Sequence, residues 1–185
     1  MAASDGISAT AGPSGGSSSP PASCAAERFP VHADREHGSQ GRPRVDFYVI
    51  EERAGPARLK LACRLAEKAY LASQRALIWH SERAELQALD ELLWTFADGS
   101  FVPHDWLTSD EAPETPVLLS AGSMPVVEFD IVVNLAPDPP PFLHLARRIA
   151  EIVDGDEARR AIARARFKSY RELGIEPATH TLGAR

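Results

Sequence analysis

Chemistry in this 185-residue sequence would have to come from its six histidines, its two cysteines, its clustered acids or the loop after its first apolar run. A helical metal pair needs two ligands three or four positions apart. His80, His104 and His144 have no such partner, and Cys24 and Cys63 are too few for a four-ligand zinc site or a disulfide framework. No metal or cofactor is expected. A phosphate loop needs several glycines whose N–H groups cradle oxygens, followed by Lys and Ser or Thr. Ile50-Glu51-Glu52-Arg53-Ala54-Gly55-Pro56 offers one glycine and two carboxylates that repel phosphate. Asp130 enters at the beginning of its strand, whereas magnesium-binding acids stand at the carboxyl end. Ser120 and Ser123 occupy no nucleophile elbow, and Asp90 and Glu91, consecutive on a helix, point to different faces. An enzyme using His104 with Asp90 or Asp105 is the alternative reading, and no motif argues for it.

Two stretches have the chemistry of binding instead. Leu89-Asp90-Glu91-Leu92-Leu93-Trp94 leads through Thr95-Phe96-Ala97-Asp98-Gly99-Ser100 into Phe101-Val102-Pro103-His104, gathering Trp94, Phe96 and Phe101 around a helix end and a turn. Near the C-terminus, Arg164, Phe167, Lys168 and Arg171 fall at i, i+3, i+4 and i+7, so cations and an aromatic ring share one helical face. An apolar slot rimmed by cations suits an acidic peptide that ends in an apolar residue. Burying one large apolar side chain contributes about 1.5–3 kcal/mol, and a charge-assisted hydrogen bond roughly 1.5–3 more. After ordering costs, micromolar affinity, about −8 kcal/mol, is the ceiling for so short a ligand. Aromatics with cations also make a stacking platform, so direct binding of single-stranded DNA is a second alternative.

The elements that position these residues alternate. Val45–Ile50 reads as a strand, Pro56–Ser73 as a crossover helix, and Ala76–Trp79 as a short buried strand. A helix from an N-cap at Ser81 to about Trp94 follows. After an irregular stretch rich in Pro and Gly come strands at Pro116–Leu119 and Phe129–Val133, then a helix from about Phe142 to Val153 after Pro139-Pro140-Pro141. A last helix runs from near Asp156 to Leu173, with Asp156 or Asp154 as its cap and Gly174 at the left-handed position beyond its end. The expectation is one α/β domain over residues 43–185, a single three-layer, mainly parallel sheet. Residues 1–42, dominated by Ala, Ser, Gly and Pro, cannot offset an ordering cost of roughly 1–2 kcal/mol per residue and are expected to be disordered.

A net charge of −6 and a pI near 5.5 make direct nucleic-acid binding by the whole molecule unfavourable, so any basic surface must be local. Neither a bilayer-length apolar run nor a secretion signal is visible, and a cytoplasmic protein with no membrane contact is expected.

The strings Leu-Asp-Glu-x-Leu-Trp and Ser-Phe-Val-Pro-His, with Ala-Arg-x-Arg-aromatic-Lys-x-Tyr-Arg some sixty positions on, resemble the chi subunit of bacterial DNA polymerase III. More loosely, the similarity runs from Val45 to about Thr181. The resemblance implies a nucleotide-binding-like α/β fold without a nucleotide site, serving as a non-catalytic accessory subunit of the polymerase holoenzyme. It implies attachment to the clamp-loader complex through the small psi subunit, and capture of the acidic C-terminal tail of single-stranded-DNA-binding protein, so that DNA is met only indirectly. Carried over by motif, the tail site comprises Trp94, Phe101, Val153, Arg164 and Phe167, with Lys168 and Arg171 nearby. Phe167 stands where relatives can carry a tyrosine. The N-terminal extension and the acidic, Pro-rich insertion Trp106–Thr115 depart from the family pattern.

Overall fold

Alternation along the first strand sets the architecture. In β1 (Arg44–Ile50), Val45, Phe47 and Val49 face one side of a sheet and Asp46, Tyr48 and Ile50 the other, and nearly all are buried, as expected of a strand covered on both faces. The computed structural model describes residues 42–51, 56–108 and 114–183. The predicted extension therefore lies outside the described residues except for Arg42, which donates from Nη1 to the Gly174 carbonyl (2.8 Å). Residues 52–55 of the loop tested for phosphate binding also lie outside.

The other elements are α1 (Ala57–Leu71), β2 (Ala76–His80), α2 (Arg83–Thr95), β3 (His104–Trp106), β4 (Val117–Ala121), β5 (Ile131–Asn134), β6 (Arg148–Val153), α3 (Glu157–Glu172) and β7 (Ala178–Leu182). The seven strands form one sheet in the order β3-β4-β2-β5-β6-β1-β7, with every pairing parallel. The expected three-layer α/β class holds. The chain travels from β1 to β2 and from β2 to β3 toward the β3 edge, but from β6 to β7 toward the opposite edge. Right-handed crossovers running in opposite directions put their helices on opposite faces, so α1 and α2 share one face and α3 covers the other.

Four expectations need correction. The predicted helix from Phe142 to Val153 is a 3₁₀ turn (Leu143–Leu145) followed by β6. Its apolar residues recur at helical spacing because β6 is buried on both faces and lacks polar alternation, a run whose period cannot distinguish helix from strand. His144 accordingly stands in that turn, not in a helix. Phe142 and Phe129, in the connections around β5, fill the space beside α3, and Phe142 meets Trp79 edge-on with centroids 4.9 Å apart. The edge strand β3 falls in the stretch expected to be irregular and β7 where no element is expected, since three residues at one edge and the half-exposed Ala178–Leu182 at the other carry little apolar signal. Ser81 does not cap α2; Glu82 occupies the N-cap, and its N–H donates to His80 Nδ1 (2.9 Å).

The end of α3 follows the sequence reading closely. Asp156 accepts from the Arg159 N–H (2.9 Å), and Gly174 adopts φ +73°. The N–H groups of Gly174 and Ile175 return to the Arg171 and Tyr170 carbonyls. A Cβ at Gly174 would also stand 2.6 Å from Arg42 Nη1.

Beside α1, a buried carboxylate ties the last strands together. Asp46, with 0% exposure, accepts from His180 Nε2 of β7 (2.9 Å), Arg148 Nε of β6 (2.7 Å) and Arg44 (3.2 Å). Burial alone would raise its pKa, but the hydrogen bond from His180 and the guanidiniums of Arg148 and Arg44 outweigh burial and hold it below the ordinary 3.8. A depressed carboxyl stabilises the fold fully above its unfolded-state pKa, and that stability is lost as pH falls through the folded-state value. Asp46→Asn is expected to cost about 1–3 kcal/mol in urea unfolding at pH 7. It should also flatten the acid limb of the stability profile below about pH 4; an unchanged acid limb would remove this role from Asp46.

Candidate functional site

One helix carries most of the predicted binding residues, and a buried polar network fixes how it lies. Glu151 of β6, with 0% exposure, accepts from Asn134 Nδ2 (2.8 Å) and Tyr170 Oη (2.6 Å), and its Oε2 stands 2.8 Å from Arg166 Nε as an ion pair. Arg166 also donates to the carbonyls of Ala136 (3.1 Å) and Pro137 (3.2 Å) after β5. Burial pushes the Glu151 carboxyl up, opposed by the guanidinium and by its hydrogen bonds from Tyr170 and Asn134. Ala163, Arg166 and Tyr170 are therefore the buried stripe of α3, and the residues on either side of it become two flanks.

On one flank stand Arg160, Arg164, Phe167, Lys168 and Arg171. Phe167 is half-buried and tilts against Phe47 of β1 with centroids 5.3 Å apart, while Val153 at the end of β6 is only 5% exposed and belongs to the floor. Arg164 is exposed, with neither hydrogen bond nor ion pair among the described residues, and lines a cleft of about 440 Å³ with Gly155, Asp156, Glu157 and Arg160. Lys168 and Arg171 lie near Glu172 and Glu176 (3.6 Å each), highly exposed pairs that contribute little. Arg160 was missed in the sequence, although its i, i+4 spacing from Arg164 placed it on this flank.

Trp94 and Phe101 are elsewhere. Both protrude, with 51% and 61% exposure, and their rings lie 5.3 Å apart. Behind them His104 tilts against the Trp94 ring with centroids 4.6 Å apart, its Nδ1 2.8 Å from the Val102 carbonyl and its Nε2 3.2 Å from Asp90 Oδ1. The predicted His104–Asp90 pair thus forms, but the imidazole is 1% exposed and serves as a plate under the tryptophan, out of reach of a substrate. Cys63 is equally withdrawn, its thiol pushed up to about 12 by burial.

The single groove expected to join all seven residues is not formed. Trp94 and Phe101 adjoin the start of β3 on the side of α1 and α2, whereas Phe167 lies over β1 beneath α3, on the opposite face. Five inter-strand steps of about 4.8 Å separate β3 from β1, about 24 Å across the sheet. Arg164 also adjoins the carboxyl end of the strands, while His104 begins β3 at the amino end. The sequence holds two surfaces where one was inferred, because nothing in a one-dimensional motif pair states which face each motif occupies.

Comparison with known proteins shows which chains this one resembles. The family model for DNA polymerase III chi subunit, HolC, matches residues 43–178. DNA polymerase III subunit chi of Pseudomonas aeruginosa is 39% identical over 139 residues, covering 75% of this chain and 96% of the relative. The Haemophilus influenzae protein of the same name is 31% identical over 142 residues (75% and 97%), and that of Escherichia coli 26% over 123 residues (66% and 84%).

The network under α3 has a measurable consequence. Removing one member of a buried ion pair leaves the other charge uncompensated, at a cost of about 3–5 kcal/mol. Glu151→Ala is expected to lose that much in urea unfolding, whereas Lys168→Ala, which breaks an exposed pair, should lose under about 1 kcal/mol. Equal losses would show that Glu151 does not organise α3.

Proposed function

The chain belongs to the DNA polymerase III chi subunit family, and from that premise we propose a non-catalytic adaptor of the replicative polymerase holoenzyme, acting in the cytoplasm, with two separate protein-binding surfaces. The first is the outer flank of α3, where Val153, Arg164, Phe167, Lys168 and Arg171 receive the acidic C-terminal tail of single-stranded-DNA-binding protein. The observation carrying this reading is Arg164: an exposed guanidinium with no partner among the described residues, one helical turn from a half-buried phenylalanine. Such a pair offers a tail both halves of what it presents, a carboxylate and an apolar side chain. Asp156 and Glu157, at the other end of the cleft, repel an acidic ligand and favour a path from Arg164 toward Arg171.

The second surface is Trp94 with Phe101. Exposed aromatics backed by a rigid ring are typical anchors of a protein interface, and the psi subunit of the clamp-loader complex is the occupant that the family resemblance supplies. Direct stacking of single-stranded DNA is less well supported, since the cations of α3 are on the other face, Asp90 pairs with His104 behind the aromatic pair, and Glu91, Asp98 and Asp105 are acids close to it in the sequence.

Arg164→Ala is expected to weaken binding of a labelled tail peptide by well over tenfold in fluorescence anisotropy while the melting temperature stays within a few degrees. Trp94→Ala should leave tail affinity within twofold. A wild-type affinity for Arg164→Ala, or a tenfold loss for Trp94→Ala, would sink the assignment of the tail to α3. Raising salt should weaken the wild-type complex, because the rim contacts are solvent-exposed charges.

A further inference from the structure

The inner flank of α3 faces a different feature. At the carboxyl ends of the strands, β2 hands the chain to α2 on one face while β5 hands it to a connection on the other, so the sheet opens at a topological switch point, where α/β folds place ligands. A cavity of about 180 Å³ lies there. Arg58, Arg159 and Arg166 line it together with His80, Glu85 and Ile152. Arg58, Glu85 and Arg159 each lie in the first turn of their helix, so the positive ends of α1, α2 and α3 converge on the cavity.

The charges are unequally satisfied. Arg159 grips Asp154 through Nε and Nη2 (2.9 Å each), and Arg166 pairs with Glu151. Arg58 donates only to the Leu135 carbonyl; among the described residues no carboxylate lies within ion-pair reach of it, and its Nε is buried without a partner. Burial lowers its pKa, opposed by the carboxylate of Asp154 and reinforced by the guanidiniums of Arg159 and Arg166. Because the Glu82 N–H occupies His80 Nδ1, the ring presents Nε2 as a donor. We propose that this cavity binds a phosphate oxyanion, free or as the terminal group of a nucleotide, with Arg58 as its principal contact and no pocket for the base. A volume of 180 Å³ admits the oxyanion but falls below the 300 Å³ or more usual for whole small-molecule ligands.

The test is isothermal titration calorimetry of the full chain with sodium phosphate and with AMP, at constant ionic strength set by chloride. Saturable binding in the millimolar range or tighter is expected, with AMP no more than about tenfold tighter than phosphate. Arg58→Gln should weaken it at least tenfold, and Arg160→Gln, on the other flank of α3, should not. Should Arg58→Gln fail to fold, Glu85→Gln decides, since removing the competing carboxylate should tighten phosphate several-fold. No saturable heat, an equal loss in Arg160→Gln, much tighter AMP, or unchanged or weaker binding in Glu85→Gln overturns the proposal.

Discussion

The orientation of α3 depends on a single buried ion pair. Glu151 and Arg166 are both withdrawn from water, and each is tolerable because it ion-pairs with the other at 2.8 Å, while Tyr170 and Asn134 donate to Glu151 and Arg166 donates to two loop carbonyls. Buried pairs of this kind are weak sources of stability but strong sources of geometry, since a rotated helix would strand two charges. Once Arg166 and Tyr170 point inward, the rest of the helix has no freedom. Arg160, Arg164 and Phe167 must emerge on one side, Arg159 and Ile162 on the other.

The order of the sheet supplies the second constraint. With β1 sixth in the row and β2 third, α1 and α2 are committed to one face, and the later step from β6 to β7 commits α3 to the other. That the Trp94–Phe101 pair and the outer flank of α3 face away from one another follows from connectivity alone. An adaptor benefits from that arrangement, because partners engaged on opposite faces of a domain do not compete for space. The acidic net charge is no obstacle, since each surface acts over a screening length of about 8–10 Å.

Much of this was legible beforehand, and the failures have physical causes. The last helix was read to within a residue because Asp156 and Gly174 satisfy two of the strictest local demands, an N-cap acceptor and a left-handed C-terminal turn. β6 was misread because a strand buried on both faces loses the polar alternation that identifies strands, leaving an apolar run that also fits a helix. The candidate residues were singled out by type, cations beside a phenylalanine and clustered aromatics. Their union into one groove was not a property of the residues, and the strand order separates them. The switch-point arginines were invisible as a group, because Arg58 and Arg159 come from helices a hundred positions apart and meet only through the sheet.

Chemical-shift mapping with a peptide of the acidic tail tests the central claim most directly. Perturbations should centre on the amides of α3 from Arg160 to Arg171, with the Trp94 indole resonance unmoved. Shifts concentrated at Trp94, Phe101 and His104, with α3 silent, would contradict the account.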